Sequence, residues 1–205
     1  MQTIILASGN HKKLAELQHI LQELNVELLP QTAFNIPEAV EDGLSFVENA
    51  IIKARHAARL TGLPAIADDS GLEVDALHGA PGIYSARFAN MSGAGNSDDA
   101  ANNALLLAKL KGVPQAQRSA RFQCAIALMR FPEDPMPLVC QGTWEGFILQ
   151  EESGSHGFGY DPLFYVPTHR CASAELPPAI KHQISHRAQA LQQLLARWPQ
   201  IKGSE

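Results

Sequence analysis

The sequence predicts an α/β fold, and three observations carry that prediction. The chain opens with Thr3–Ala7, a run of aliphatic and β-branched residues, followed by the turn Ser8-Gly9-Asn10 and by leucines at 14, 17, 21 and 24, with Ile20 beside them. That order reads as strand, tight turn, helix. A second helix, begun by Ser45 and closed by Gly62, leads into the apolar run Ala65-Ile66-Ala67. The middle of the chain, from Arg118 to Gln150, is β-rich, and a helical period at Ile180, Ile184, Ala188, Leu191, Leu195 and Trp198 closes it.

Each element has a local reason. Val26–Leu29 is a short second strand, and residues 33–43 are irregular and acidic. Ser45-Phe46-Val47-Glu48 has the pattern of a capping box, hydroxyl first and Glu three residues on, so a helix is expected from there to about Leu60. Gly62 follows where a left-handed cap residue is expected. The next strand is expected to end at Asp68-Asp69-Ser70-Gly71, with Leu72–Ala76 as a further extended segment. Gly79–Tyr84 reads as a loop and Asn90–Asn96 as a surface loop. Ser97-Asp98-Asp99 caps a helix running to about Lys111, where the two carboxylates are expected to complement the helix dipole. Arg118–Arg130 and Pro137–Trp144 are strands joined at Pro132-Glu133-Asp134-Pro135, Gly146–Gln150 adds another, and together they read as an antiparallel group. Leu163–Val166 is a last short strand. No repeat, linker or low-complexity tract interrupts the 205 residues, which read as one domain.

Composition narrows the function. Hydrophobic residues make up 45% and charged residues 18%, the balance of a chain that buries a core. The net charge of −5 provides no global basic field for nucleic acid or an anionic membrane, so any anion site must be built locally. Cys124, Cys140 and Cys171 are odd in number and lack metal-type spacing, which points to free thiols in a reducing compartment. The apolar start Met1–Ser8 is too short for a secretory core, and no run approaches a membrane span. The expected setting is cytoplasmic.

Four constellations stand out. Asp68 and Asp69 end a buried apolar run, where carboxylates are costly unless paired. A hard divalent cation is one partner, and an Asx turn on local backbone is the alternative. Glu41, in an acidic loop beside Asp42, is a second carboxylate for the same cation or a surface residue. Ser8-Gly9-Asn10-His11-Lys12-Lys13 joins a strand to a helix, where backbone N–H groups bind phosphate and Lys13 adds charge; an ordinary capped helix is the other reading. Gly157-Phe158-Gly159-Tyr160-Asp161-Pro162 either lets a flat base lie on aromatic rings with Asp161 as acceptor, or packs Phe158 and Tyr160 into the core. Lys181, His186 and Arg187 form the last group. On an unbroken helix Lys181 and His186 lie about 140° apart. Either the helix breaks at Ser185, a good N-cap, or the two flank a pocket, unless the whole face is solvated.

Together these motifs resemble the inosine triphosphate pyrophosphatase family. They occur in family order: Ser8-Gly9-Asn10-x-x-Lys13, Glu41-x-Gly43-x-x-Phe46-x-Glu48-Asn49-Ala50, Asp68-Asp69-Ser70-Gly71, Gly79-x-Pro81-Gly82-x-x-Ser85-Ala86-Arg87, Gly157-Phe158-Gly159-Tyr160-Asp161-Pro162 and Ser185-His186-Arg187. Val40 stands where many members carry a further Glu. The resemblance implies an elongated two-lobed α/β fold with a central mixed sheet flanked by helices and the active site in a cleft. It implies a homodimer that requires Mg²⁺ and hydrolyses non-standard purine nucleoside triphosphates (ITP, dITP, XTP) to the monophosphate and pyrophosphate.

Position by position, the resemblance makes Asp69 the general base and a metal ligand, Glu41 a second metal ligand, and Asp68 an orienting carboxylate. It assigns the phosphates to Ser8, Gly9, Asn10, His11, Lys12 and Lys13, with Lys53 nearby. The nucleotide falls to Ser70, Phe158, Gly159, Tyr160, Asp161, Lys181, His186 and Arg187. Two other readings are a pyrophosphatase for other modified nucleotides and a non-catalytic nucleotide-binding module, which would have no need of Asp69 as a base.

Overall fold

The computed structural model describes residues 2–8, 17, 26–91 and 97–202. Seven strands form one sheet: β1 (Gln2–Leu6), β2 (Val26–Pro30), β3 (Ala65–Val74), β4 (Ser119–Met129), β5 (Leu138–Ile148), β6 (Phe164–Val166) and β7 (Cys171–Ala172). Their order is β2-β1-β3-β4-β5-β6-β7. β1 runs parallel to β2 and β3, while β6 runs antiparallel to β5 and β7, so the sheet is mixed. Among the described residues it is accompanied by the α-helices α1 (Phe46–Thr61), α2 (Asp99–Lys109), α3 (Pro178–Ile184) and α4 (His186–Lys202). Of the helix expected after Asn10, only Leu17 lies among the described residues; it is helical and buried.

The chain divides into two compact units, residues 1–69, 124–142 and 189–205, and residues 70–123 and 143–188. The first holds two apolar clusters. One gathers Ile4, Leu6, Leu28, Ile66, Ile126 and Leu128 with Leu191, Leu194 and Trp198 of α4. The other lays the small residues Ala50, Ala54, Ala57 and Ala58 of α1 against Ile5, Ala65, Ala67 and Met129. Alanine at these helix positions lets α1 approach its strands closely. The second unit is built on Leu72, Val74, Phe88, Leu106, Phe122, Trp144, Phe164 and Leu176. There Arg118 is buried and donates to the carbonyls of Leu110, Val113 and Leu149, closing the C-terminal end of α2 with a charged fork.

The local signals for α1 are realised. Ser45 Oγ accepts from Glu48 N at 3.2 Å, and Gly62 takes φ +69°. Glu48 answers through Leu44 N at 2.9 Å. The closing helical period breaks at Ser185, whose Oγ accepts from Ala188 N at 3.3 Å as the cap of α4.

Two expectations are corrected. β3 does not end at the paired carboxylates but runs through them to Val74. Gly146–Gln150 is not a separate strand, since residues 146–148 complete β5. A Cβ on Gly146 would lie 2.6 Å from Phe164 Cζ and closer still to Tyr165 O, so this glycine marks a close strand approach rather than a strand start. Among the described residues, no helix is long and apolar enough to cross a membrane.

Candidate functional site

In the first unit, α1 and β3 bring together an acid–lysine centre. Lys53 Nζ donates to Asp69 Oδ1 at 2.9 Å and lies 3.4 Å from Glu41 Oε1. Asp68 and Asp69 are buried, with 2% and 9% of their surface exposed, which is why compensation is obligatory. Burial works against the charge on Lys53, but Asp69, Asp68 and Glu41 outweigh it and hold the ammonium above its ordinary value. Asp69 therefore finds its partner on a helix 16 residues earlier, not in an Asx turn.

Glu41 reaches this centre because its loop is pinned. Asn49 Oδ1, at the start of α1, accepts from Gly43 N at 3.0 Å. A Cβ on Gly43 would sit 2.7 Å from that same oxygen, so the position requires glycine. Glu41 and Asp69 bring carboxylate oxygens to one place beside Lys53, and hard oxygen donors of this kind fit a divalent cation. Among the described residues no group of three His, Cys, Asp or Glu side chains stands ready as a metal site. Ser8 is half-buried just past β1, and Gly9 to Lys13 lie outside the described residues.

In the second unit the glycine-rich loop folds around a buried carboxylate. Asp161 accepts from Phe158 N at 2.9 Å, from Ser173 Oγ at 2.8 Å and from Lys181 Nζ. Three protein donors reach its oxygens, and these bonds shape the loop. Gly157 takes φ +80°, and a Cβ there would lie 2.9 Å from Asp161 Cγ and closer still to Oδ2. Tyr160 belongs to the core, with its hydroxyl donated to Ser85 O at 2.8 Å. Burial first, and the charge of Asp99 second, push its phenol above the ordinary value.

Phe158 is the half-buried ring of the loop. Lys181 Nζ lies 5.1 Å and Arg187 Cζ 6.0 Å from its centroid, within cation–π range. Arg187 also donates to Ser70 Oγ at 3.2 Å. The His186 ring stacks on Phe122 at 4.9 Å and 14°, with Trp144 beyond at 6.4 Å. Because the helix breaks at Ser185, Lys181 on α3 and His186 and Arg187 on α4 are released from a single helical face.

Sequence reasoning missed Asp99, Ser173 and Asn103. Asp98 caps α2 by accepting from Ala101 N at 2.6 Å, as expected. Asp99 does more than complement the dipole, because it accepts from Gly159 N at 2.7 Å. The chain separation of 60 residues left no local signal for that bond.

The protein is thus an α/β protein with a mixed sheet, an acid–lysine centre built by α1, β3 and the Glu41 loop, and a phenylalanine within cation–π range of Lys181 and Arg187 on a glycine-rich loop. The chain belongs to the Ham1 family, whose model matches residues 4–197. A protein of Vibrio parahaemolyticus named dITP/XTP pyrophosphatase is 56% identical over 197 residues, 96% of each chain. One of Pseudomonas syringae with the same name is 57% identical over 188 residues, 92% of each chain. The solved structure of a HAM1 protein from Coxiella burnetii matches with a TM-score of 0.91 at 52% identity, covering 98% of this chain and 100% of that one. A Mycobacterium abscessus structure titled nucleoside-triphosphatase / dITP/XTP pyrophosphatase matches with a TM-score of 0.77 at 46% identity, covering 95% and 99%.

Proposed function

We propose that this chain is a nucleoside triphosphate pyrophosphatase that hydrolyses dITP, ITP and XTP to the monophosphate and pyrophosphate. The observation that carries the reading is the Glu41–Lys53–Asp69 centre, with contacts of 3.4 and 2.9 Å. The names of relatives 53–57% identical over nearly the whole chain support the substrate class.

Asp69 takes the proton of the water that attacks the α-phosphorus, and Lys53 holds that carboxylate in place. Asp68 and Glu41 keep the centre acidic enough to need Lys53 charged. Glu41 and Asp69 would hold Mg²⁺, which when bound neutralises phosphate charge. Ser8 and the segment Gly9, Asn10, His11, Lys12 and Lys13 receive the phosphates, as a strand-to-helix turn does. The Phe158 ring receives the base, with Gly159 beside it in contact and the loop held by Tyr160 and Asp161. Lys181, His186 and Arg187 supply donors, and Ser70 is positioned by Arg187. A 6-oxo group accepts from such donors, whereas the 6-amino group of adenine opposes donor to donor and leaves buried groups unpaired. The reading includes a homodimer, testable by light scattering, and a cytoplasmic setting. Three free cysteines, two of them buried, suit that compartment.

The test incubates the protein and Mg²⁺ with ITP, XTP, dITP, ATP, GTP and UTP and identifies every product. Monophosphate and pyrophosphate from the first three, with ATP and GTP spared, are expected. Release of orthophosphate and a nucleoside diphosphate would reject attack at the α-phosphorus. Tight binding without hydrolysis would make the chain a binding module.

A further inference from the structure

Helix α2 holds one residue of the glycine-rich loop by both its backbone N–H and its carbonyl. Asp99 Oδ2 accepts from Gly159 N at 2.7 Å, and Asn103 Nδ2 donates to Gly159 O at 3.2 Å. Residues four apart lie on one helix face, so a single turn of α2 presents an acceptor and a donor spaced for one residue's backbone. The orientation of the Asn103 amide is settled by its partners. Its nitrogen meets two acceptors, Gly159 O and Glu152 Oε1 at 2.9 Å, so the nitrogen must face the loop. Asn103 is 97% buried, since only 3% of its surface is exposed, and its Oδ1 has no hydrogen-bond partner.

The grip matters because of what Gly159 joins. It takes φ +62°, and nothing lies within 4 Å of where a Cβ would be, so its backbone N–H and carbonyl are the groups by which α2 holds it. On one side is Phe158, the ring between Lys181 and Arg187; on the other is Tyr160, anchored to Ser85 O. Asn102, the neighbour of Asn103, accepts from Ala89 N at 2.8 Å and from Ser97 Oγ at 2.9 Å, tying the turn after Ser85 to the same helix. The motif Ser85-Ala86-Arg87 thus connects to the glycine-rich loop through α2.

We propose that Asp99 and Asn103 are positioning residues that set the Phe158 ring and thereby the tightness and selectivity with which the purine base is held. The inference rests on the nucleotide reading above. Neither residue touches substrate in it; both act through Gly159.

The test compares Asp99→Ala, Asp99→Asn and Asn103→Asp with wild type in steady-state hydrolysis of ITP and ATP, with melting temperatures recorded. Asp99→Ala and Asp99→Asn both remove the charge that favours the start of α2, and only Asp99→Ala removes the acceptor for Gly159 N. The pair therefore separates the clamp from the dipole. Asn103→Asp is nearly isosteric and turns the donor to Gly159 O into an acceptor.

For Asp99→Ala the KM for ITP is expected to rise roughly tenfold, the scale of one hydrogen bond to a charged group, and for Asn103→Asp, which loses a neutral bond, by about three- to tenfold. kcat should change by less than about threefold, and the ITP-to-ATP ratio of kcat/KM should fall. Asp99→Asn should stay within about threefold of wild type in KM, because a neutral acceptor remains. Equal effects of Asp99→Ala and Asp99→Asn, or a loss of kcat at unchanged KM, would overturn the clamp. If Asp99→Ala does not fold, Asn103→Asp alone decides by the same KM criterion. A wild type that leaves ITP intact would instead reject the nucleotide reading, so the two failures are distinguishable.

Discussion

Replacing Lys53 with methionine keeps most of the aliphatic stem and removes only the ammonium from the acid centre. The lysine faces Asp69 at 2.9 Å and Glu41 at 3.4 Å, and Asp68 also acts on its charge. Breaking a buried ion pair by deleting one partner costs about 3–5 kcal/mol. The side chains here are 14% exposed for Lys53, 12% for Asp69 and 31% for Glu41, which puts the loss at the lower end, about 3 kcal/mol near neutral pH. For a chain of this size each kcal/mol moves the melting temperature by about 2–4 °C, so the expected drop is roughly 6–12 °C. Adding Asp69→Asn to the lysine variant should recover most of it, because the neutral amide no longer needs a counter-charge.

The pH dependence has a definite sign. The lysine's folded pKa lies above its ordinary value of 10.5, so its contribution is complete below that value and is lost only as pH rises past it. The gap between wild type and Lys53→Met should therefore be constant from neutral pH to about pH 10 and close above that. The assay is thermal unfolding followed by circular dichroism across that range. A drop under about 1 °C at pH 7, or a double variant that melts as low as the sum of the two singles, would refute the argument.

Other outcomes follow from the same geometry. Asp69→Asn should cut ITP turnover by roughly 10²–10⁴, the scale of a lost general base, while leaving nucleotide binding measurable by calorimetry. A fall of only a few-fold would remove Asp69 from the base role. Gly157→Ala must force a Cβ against Asp161 at φ +80°, so both melting temperature and ITP turnover should fall sharply, whereas a wild-type melt would mean the loop has another conformation. Asp134, with its side chain fully buried, is held down to about 2 by hydrogen bonds from Arg130, against an ordinary value of 3.8. Its stabilisation is present above pH 3.8 and lost as pH falls towards 2, so Asp134→Asn should flatten the acid limb of the stability profile in that window. An unchanged limb would contradict this.

What was legible in the sequence was local. The Ser45–Glu48 cap, the left-handed Gly62 and the break at Ser185 each depend on residues within one turn, and each forms as the pattern requires. The strand through Asp68 and Asp69 was not legible, because Asp-Asp-Ser-Gly has the composition of a turn. What permits it to remain extended is the charge of Lys53 on a different element. The structural partners of Asp161 were hidden for the same reason, since Ser173 and Lys181 lie 12 and 20 residues away. Gly146 read as the start of a separate strand because sequence does not disclose that Phe164 lies against it. At the candidate site the residue types were visible; which of them satisfy one another was not.

The central claim is that the Asp69 centre directs water to the α-phosphorus. The most direct measurement is hydrolysis of ITP in heavy-oxygen water, with mass spectrometry of both products. The account predicts one heavy oxygen in the phosphate of inosine monophosphate and none in pyrophosphate. Label in pyrophosphate, with unlabelled monophosphate, would place the attack on the β-phosphorus and contradict it.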